Sequence, residues 1–584
     1  MKPRIPLFAW LLSLAGLYYL LFGRYGYFPS DQGFIPALAW RIWQGQVPYL
    51  DFIYVRPALS GYLHAWEMAL PETWLLQSGR MFFYLQMALA TWCMLRSLDH
   101  SLGLQQRGFS LLGLGALALV GALHNYSPMP WHTVDGIFLG AAGVYLLVVP
   151  RRWGWWALGG WLLFGAALCK QSFYLMPLLG LGLLWLYQPR RYFGRTALVG
   201  WGSFVVLAGA VAWLQQDWAV SALAQTTGAT SLRDLAVIGG WQYLKAVPPF
   251  ALGVALVEFG QQKRWSRYLA YLWPAALLGG AALHLGYALW QQSYAGPLLA
   301  YGQLLWLAAL AGAYGVLRGE KKGNKGNEEE KKGDRGNTGN RGENGGEAST
   351  FKAQLKDLDF TAAAPLLALL GLAWCASISW GYATPVLAFA PLAVGGWLGV
   401  QRWGLGKAPP WLLPATTVGL ALIWGLCQLY PYREAPRYTE YREGGEVFPA
   451  LSGLQIGAES YERLSELKQF ARRYGDRFTV LSAYPAAHLM LQADPAFASD
   501  WAQNAEVHAN VLLPTLQTLL DNQVAYVFLQ KDKLDRLDDR SRYGLLLGAY
   551  VQETWDPVTE GKYFVIYRNP KLTERMNPGL ALSW

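Results

Sequence analysis

The sequence has few charged residues. Only 15% of its 584 residues are Asp, Glu, Lys or Arg, and 53% belong to the hydrophobic set, whereas about a quarter of the residues of a soluble domain are charged. This composition argues against a soluble protein. The formal net charge of +10 would indicate a nucleic-acid partner only if the basic residues formed one solvated patch. They are spread over many short polar clusters, so we expect membrane lipids as surroundings and no nucleic acid.

Cysteine is scarce as well. The chain has four cysteines, and each lies inside or at the end of an apolar stretch: Cys93, Cys169, Cys375 and Cys427. Their spacing shows no paired motif of the kind that binds zinc, and their positions make a disulfide framework improbable. The cysteines therefore predict neither a structural metal nor cross-links.

Long apolar stretches make up most of the chain. Short polar clusters separate them, a pattern typical of a polytopic α-helical membrane protein, and we predict about 13 transmembrane helices. No small-residue cleavage site follows the first stretch, so we expect an uncleaved first helix. The predicted spans start near Ile5, Leu76, Gly108, Thr133, Gly154, Ser172, Thr196, Ala246, Tyr268, Pro297, Thr361, Pro385 and Trp411.

The distribution of charge predicts the orientation. Basic residues concentrate at the N-terminus and in alternate loops, as the positive-inside rule expects for a cytoplasmic N-terminus. After thirteen spans the C-terminal domain then lies outside a bacterial-type inner membrane, in the periplasm or extracellular space. Most acidic residues of the apolar part fall on this outer side, which suggests an external acidic site: Asp31, Asp51, Glu67, Glu72, Asp135, Asp217 and Asp234.

Composition divides the chain into four parts. Residues 1–317 form the transmembrane core with a first external loop at 24–75, and residues 361–430 form the last transmembrane helices. Between them, residues 318–360 are rich in Gly, Asn, Lys and Glu and should form a disordered cytoplasmic linker. Residues 431–584 predict an external α/β domain, with helices at Glu459–Tyr474 and Val507–Leu520 and strands at Phe478–Ser482, Val524–Leu529 and Tyr563–Tyr567.

The first external loop is long and rich in polar and aromatic residues. Ser30 and Asp31 precede an amphipathic stretch around Leu38, and a second such stretch ends near Met68. Two short helices with apolar faces beside a bilayer are expected in the interface plane. Asp31 has an ordinary alternative role, since Asp or Ser often caps a helix at this position.

The loop resembles that of a known family. Asp31-x-Gly33, the run Pro48-Tyr49-Leu50-Asp51-Phe52 and the pair Arg56-Pro57 resemble the first periplasmic loop of the GT-C glycosyltransferases, which include protein O-mannosyltransferases and lipid A aminoarabinose transferases. The resemblance implies an integral membrane enzyme that moves a sugar from a polyprenyl-phosphate donor to a lipid, glycan or protein acceptor, usually with inversion.

The resemblance also implies roles for individual residues. The catalytic acidic residue of the family's first loop corresponds to Asp31. Further catalytic candidates are Asp51, in the run Pro48-Tyr49-Leu50-Asp51-Phe52, and Asp135 at the start of the fourth helix. The lysine that meets the lipid phosphate corresponds to Lys170, followed by Gln171. Tyr382 lies in a Tyr-x-x-Pro corner that has Gly381 where relatives have arginine. Chemically, Asp31 is the candidate base, and Arg56 joins Lys170 as a cation for the leaving phosphate.

Two questions stay open from the sequence. His124, His132 and Asp135 are candidate ligands for a divalent cation such as Mg²⁺ or Mn²⁺, although their spacing matches no metal motif, so no cofactor is certain. A transporter or flippase for a lipid-linked sugar, or a catalytically silent relative that serves as an assembly partner, are the alternative functions. A transporter would favour ionisable residues near the bilayer midplane and an internal repeat, and neither is evident.

Overall fold

Helices dominate the computed structural model of the chain. The structure describes residues 6–123, 126–150, 152–227, 240–241, 243–248, 250–251, 271–294, 299–317, 360–378, 385–402, 409–475, 477–481, 484–504, 506–507, 509–541 and 544–572. The predicted linker at 318–360 lies almost entirely outside these ranges, and so do His124 and Tyr382.

Eleven α-helices are described in the N-terminal part. They are α1 (Leu7–Phe22), α2 (Pro29–Trp43), α3 (Leu59–His64), α4 (Leu75–Leu102), α5 (Leu111–Leu123), α6 (His132–Val148), α7 (Trp153–Cys169), α8 (Met176–Tyr187), α9 (Arg190–Ala197), α10 (Ser203–Leu214) and α11 (Gln216–Thr227). A π-helical turn at Leu198–Gly202 joins α9 to α10. Helix α4 ends where Gly103 adopts a φ of 59°, the left-handed conformation that glycine accepts at helix ends.

Five more apolar helices follow within the described ranges. They are α12 (Leu272–Gln291), α13 (Leu299–Leu317), α14 (Phe360–Ser377), α15 (Phe389–Arg402) and α16 (Leu412–Cys427). Helices begin within a few residues of most predicted span starts, because uninterrupted apolar runs are readable from the sequence. The predicted start at Ala246 falls in a region of which only short pieces are described.

The apolar helices differ in whether they could cross a membrane. Among the described residues, three helices are long and apolar enough to cross a membrane: Arg190–Leu214, Leu272–Gln291 and Phe360–Ser377. Eight other apolar helical segments of the described residues have 10–17 residues, and a 16-residue helix rises only about 24 Å, less than the roughly 30 Å of a hydrocarbon core. Helix α4 is longer, with 28 residues, but does not meet the apolarity of a candidate span. The described part of the chain is therefore largely helical and contains three candidate spans, and the count of thirteen stays a prediction.

Apolar side chains form both the core and much of the surface. One large cluster of buried residues joins α1, α4–α8 and α12–α16. Apolar residues also face outward, among them Leu198, Val206, Trp213 and Trp290, each at least 70% exposed. Apolar surface on this scale marks a contact with lipid or a partner.

The C-terminal part forms the predicted α/β unit. Its strands are β1 (Tyr441–Glu443), β2 (Gln455–Gly457), β3 (Phe478–Leu481), β4 (Tyr526–Gln530), β5 (Asp556–Glu560) and β6 (Phe564–Arg568), with helices α17 (Ala458–Tyr474), α18 (Ala487–Leu491), α19 (Ala509–Gln523) and α20 (Leu546–Thr554). Strands β1 and β2 pair antiparallel, and the second sheet has the order β3-β4-β6-β5, with only β3 and β4 parallel. The sequence did not predict β1, β2 or the exposed edge strand β5, since short or polar strands lack apolar alternation.

The first loop packs against this C-terminal domain. Trp40 of α2 and Met68 share one buried cluster with Phe448, Leu464 and Phe478 of the domain. Helix α2 is buried along most of its length, between α3 and α18. The expectation that α2 presents an apolar face to the membrane interface is therefore wrong, because the C-terminal domain covers most of the helix.

Candidate functional site

Asp31 lies in the first turn of α2. The helix begins at Pro29 after Phe28, and no side chain caps its first turn, so the alternative role as an N-cap does not apply. The Asp31 Oδ2 atom accepts a hydrogen bond from the Tyr432 hydroxyl and forms an ion pair of 3.3 Å with Arg433. The side chain is 22% exposed. Asp31 is thus a partly accessible carboxylate held by the segment that follows α16.

The sequence did not identify Tyr432 and Arg433 as site residues. Arg433 stacks on the rings of Phe28 and Tyr432, and its backbone has a φ of 51°. Burial and the Asp31 charge raise the pKa of Tyr432, so its hydroxyl stays protonated and donates to Asp31. Tyr294 packs edge-on against Tyr432 at 4.8 Å between ring centroids. The tertiary structure thus places the Arg433 cation next to Asp31 of the first loop.

Arg56 is paired with the C-terminal domain. Its guanidinium makes two hydrogen bonds to Glu506, at 2.5 Å and 2.6 Å, and it lies 4.8 Å from the centroid of the Phe34 ring. The nearby charges of Glu506 and Asp31 raise the pKa of Arg56 against the lowering effect of burial. Because Phe34 is one helical turn from Asp31, Arg56 and Asp31 lie on the same side of α2.

Lys170 lies near Arg56, in the short connection after α7. Its Nζ atom donates a hydrogen bond of 2.9 Å to the Thr133 hydroxyl, and it lies within electrostatic range of Arg56 and Glu506. Gln171 donates through its side-chain amide to the Val55 carbonyl at 2.7 Å. Gln171 therefore positions the backbone next to Arg56.

Asp135 belongs to a separate buried cluster. Its Oδ1 atom is 3.2 Å from His64 Nε2 and accepts from Gln86 Nε2 at 2.7 Å, while His64 Nδ1 lies 2.6 Å from Glu67 Oε1. Among the described residues, the Asp135 Oδ2 atom has no hydrogen-bond partner. Asp135 is fully buried and has no described contact with Asp31, so the structure does not bring the two predicted catalytic carboxylates together.

Two carboxylates face the one histidine of this cluster. Burial lowers the pKa of His64, but the Asp135 and Glu67 carboxylates outweigh it and raise that pKa to about 10. Burial raises the pKa of Glu67, and His64 opposes this increase. The two acidic side chains therefore favour the charged form of His64. The sequence placed His64 and Glu67 three residues apart but contained no pattern that linked them to Asp135.

Asp51 lies in a turn of the first loop. Its Oδ2 atom accepts a hydrogen bond of 2.6 Å from the Val47 backbone, and the residue is exposed. Within the described part of the chain, its carboxylate contacts none of the other predicted site residues. This geometry gives Asp51 a turn-forming role.

The predicted metal ligands are only partly described. His132 packs edge-on against Phe34 at 6.2 Å between ring centroids, while Asp135 faces His64. No group of three or more His, Cys, Asp or Glu residues in the described ranges has the geometry to hold a metal ion. His124, the third proposed ligand, and Tyr382, proposed to contact phosphate, lie outside the described residues.

A small cavity lies between the first loop and the C-terminal domain. Its volume is about 20 Å³, which is room for roughly one water molecule. It is lined by Phe34, Leu38, Phe52, Ile53, Tyr54, Val55, Ser499, Asp500, Trp501 and Glu506. A larger open groove beside Arg152 and Tyr192, of about 610 Å³, contains none of the predicted site residues.

A buried ion pair and a backbone hydrogen bond hold the first loop against the C-terminal domain. Arg41 of α2 is only 2% exposed and binds both carboxylate oxygens of Asp500, at 2.5 Å and 2.8 Å. The Ile53 backbone donates to the Ala498 carbonyl at 2.8 Å. The loop and the domain therefore form one continuous surface around the cavity.

Comparison with known proteins gives no relative. The chain matches no family model, no curated protein and no solved structure.

Proposed function

We propose that the chain is an integral membrane glycosyltransferase that moves a sugar from a polyprenyl-phosphate donor to an acceptor outside the membrane. The observation that supports this most is the position of Asp31, a partly exposed carboxylate between the first loop and the C-terminal domain, with Arg433 bound to it. Arg56 provides further positive charge on the same side of α2, over the Phe34 ring, and Lys170 lies within electrostatic range of Arg56 and Glu506. The resemblance of the first loop to GT-C enzymes is the reason for choosing this reaction class.

The proposed chemistry assigns a task to each group. The acceptor hydroxyl oxygen attacks the anomeric carbon, and its proton passes to the Asp31 carboxylate. The bond from that carbon to the phosphate oxygen breaks, and the electron pair stays on the polyprenyl phosphate. Arg56 stabilises the negative charge that develops there, because a fixed cation acts strongly in a site that excludes water, and we propose that Lys170 donates a hydrogen bond to the same phosphate. The configuration at the anomeric carbon is inverted.

The surroundings suit a lipid-linked donor. Three described helices are long and apolar enough to span a bilayer, and exposed apolar residues lie along the π-helical turn, α10 and α11. A hydrophobic polyprenyl tail lies in the membrane while its phosphate stays at the surface. We propose a multi-pass protein of a bacterial-type inner membrane, with the C-terminal domain outside.

The substitution Asp31→Asn tests the proposal. It keeps the shape of the side chain but removes the base, so we expect turnover to fall by about 100-fold or more while donor binding is retained. The purified full-length protein in lipid nanodiscs is given a panel of polyprenyl-phosphate sugars and membrane extract as acceptor. Release of polyprenyl phosphate measures turnover.

Two other carboxylates serve as controls. Asp217→Asn changes an exposed residue of α11, and Asp51→Asn changes a residue in a turn of the first loop. We expect both variants to keep activity within a few-fold of wild type. Full activity in Asp31→Asn would show that Asp31 is not the base. Movement of the donor across the bilayer without sugar transfer would favour the flippase alternative, and no activity in any assay would favour the silent relative.

A further inference from the structure

Arg56, a proposed phosphate ligand, is already bound to a carboxylate of the same chain. Both oxygens of Glu506 accept hydrogen bonds from the two terminal nitrogens of Arg56. The residues are 450 positions apart in the chain, one in the first loop and one in the C-terminal domain. Their side chains are 21% and 15% exposed, and Glu506 lines the cavity between the first loop and the C-terminal domain.

A carboxylate and a phosphate bind an arginine in the same way. The guanidinium offers two parallel N–H donors, and either anion fills them with two oxygens. Glu506 therefore occupies the position that a phosphate on Arg56 would take. Both anions cannot use the same pair of donors at once.

The cavity next to the pair contains unsatisfied polar groups. The Tyr54 hydroxyl is buried, on a residue only 5% exposed, and the Trp501 indole N–H is buried as well. Among the described residues, neither has a hydrogen-bond partner. Buried polar groups usually have partners, so these two are available to hydrogen-bond a polar ligand. The present volume of about 20 Å³ is too small for a sugar phosphate, so a ligand requires the domain and the loop to separate.

We propose that Glu506 is an internal substitute for the donor phosphate, and that donor binding exchanges Glu506 for phosphate on Arg56 and opens the cavity beside Tyr54 and Trp501. This inference rests on the proposed function. The C-terminal domain then regulates access to Arg56, because its carboxylate must leave before the lipid phosphate binds.

The substitution Glu506→Gln tests the exchange. It keeps the size of the side chain and removes the competing charge. A competitor that occupies the site about nine-tenths of the time weakens apparent affinity by roughly tenfold, so we expect Glu506→Gln to bind polyprenyl phosphate roughly tenfold more tightly than wild type. The full-length protein in nanodiscs is titrated with polyprenyl phosphate, and with neutral polyprenol as the uncharged probe.

Two variants isolate the effect. Asp494→Asn removes an exposed carboxylate of the same domain and should leave the affinity for polyprenyl phosphate unchanged. The double variant Arg56→Ala with Glu506→Gln should lose the gain, because the phosphate then lacks its ligand. Binding of polyprenol should be the same in all variants.

The possible failures are distinguishable. If wild type binds polyprenyl phosphate but Glu506→Gln binds it equally or more weakly, Glu506 only docks the domain, and the exchange is wrong while the proposed function stands. If neither wild type nor any variant distinguishes polyprenyl phosphate from polyprenol, the exchange and the proposed donor are both wrong.

Discussion

At the scale of single residues, His64 links two carboxylates that come from different parts of the chain. Its ring nitrogens face Glu67 and Asp135, and all three side chains are at most 1% exposed. A buried charge without its partner is costly. The loop helix α3 is thus tied to the start of α6 by electrostatics as well as by packing.

His64→Ala should destabilise the protein. It leaves two buried carboxylates without their cation, which we expect to cost about 3 kcal/mol or more of the free energy of unfolding. Thermal unfolding of the purified protein measures the effect. His100→Ala, at an exposed position near the end of α4, is the matched control and should unfold close to wild type.

The effect of His64 should depend on pH in a defined direction. The pKa of His64 in the folded protein is raised from 6.5 to about 10, so its stabilising contribution is complete below pH 6.5 and disappears as the pH rises through about 10. The difference between wild type and His64→Ala should therefore narrow from neutral to alkaline pH. A constant difference over this range would contradict a charged His64.

At the scale of secondary-structure elements, glycines set how closely α6 and α7 approach. A Cβ atom added at Gly159 would lie 3.0 Å from the Gly143 carbonyl oxygen and 3.1 Å from Leu147. Backbone atoms cannot move aside as a flexible side chain can. The close contact of these helices positions Asp135 at one end of the pair and Lys170 just beyond it.

Gly159→Leu should separate the two helices. Overpacking typically costs about 1–3 kcal/mol, and the resulting shift should lower the unfolding temperature and weaken activity. Gly154→Leu is the control on the same helix, because a Cβ atom there would meet nothing within 4 Å. Equal unfolding temperatures for the two variants would show that α6 and α7 do not pack in this way.

At the scale of the whole molecule, the orientation in the membrane can be tested with single cysteines. The four natural cysteines are buried, whereas Val511 in the C-terminal domain is 75% exposed. In spheroplasts of a bacterial expression host, Val511→Cys should react with a membrane-impermeant maleimide. Gln106→Cys, in an exposed loop predicted to be cytoplasmic, should react only after permeabilisation. The reverse pattern would contradict the predicted orientation.

Local order was largely predictable from the sequence. The apolar runs located most described helices to within a few residues, and the predicted helix from Glu459 to Tyr474 agrees with α17, which ends at Gly475 with a φ of 78°. Periodicity and helix ends depend on neighbouring residues, which is why a single sequence reveals them. Membrane crossing is less predictable, because it depends on both the length and the apolarity of a continuous helix, and three described helices combine the two.

The sequence by itself determined the apolar helical composition, the α/β elements of the C-terminal domain and the choice of Asp31, Arg56 and Lys170 as candidates. Only the tertiary structure decided their partners: Arg433 for Asp31, Glu506 for Arg56 and His64 for Asp135. The physical reason is distance along the chain. A residue's secondary structure depends on its neighbours in sequence, whereas the charge that faces a carboxylate is brought there by packing between segments as far as 459 residues apart, as for Arg41 and Asp500.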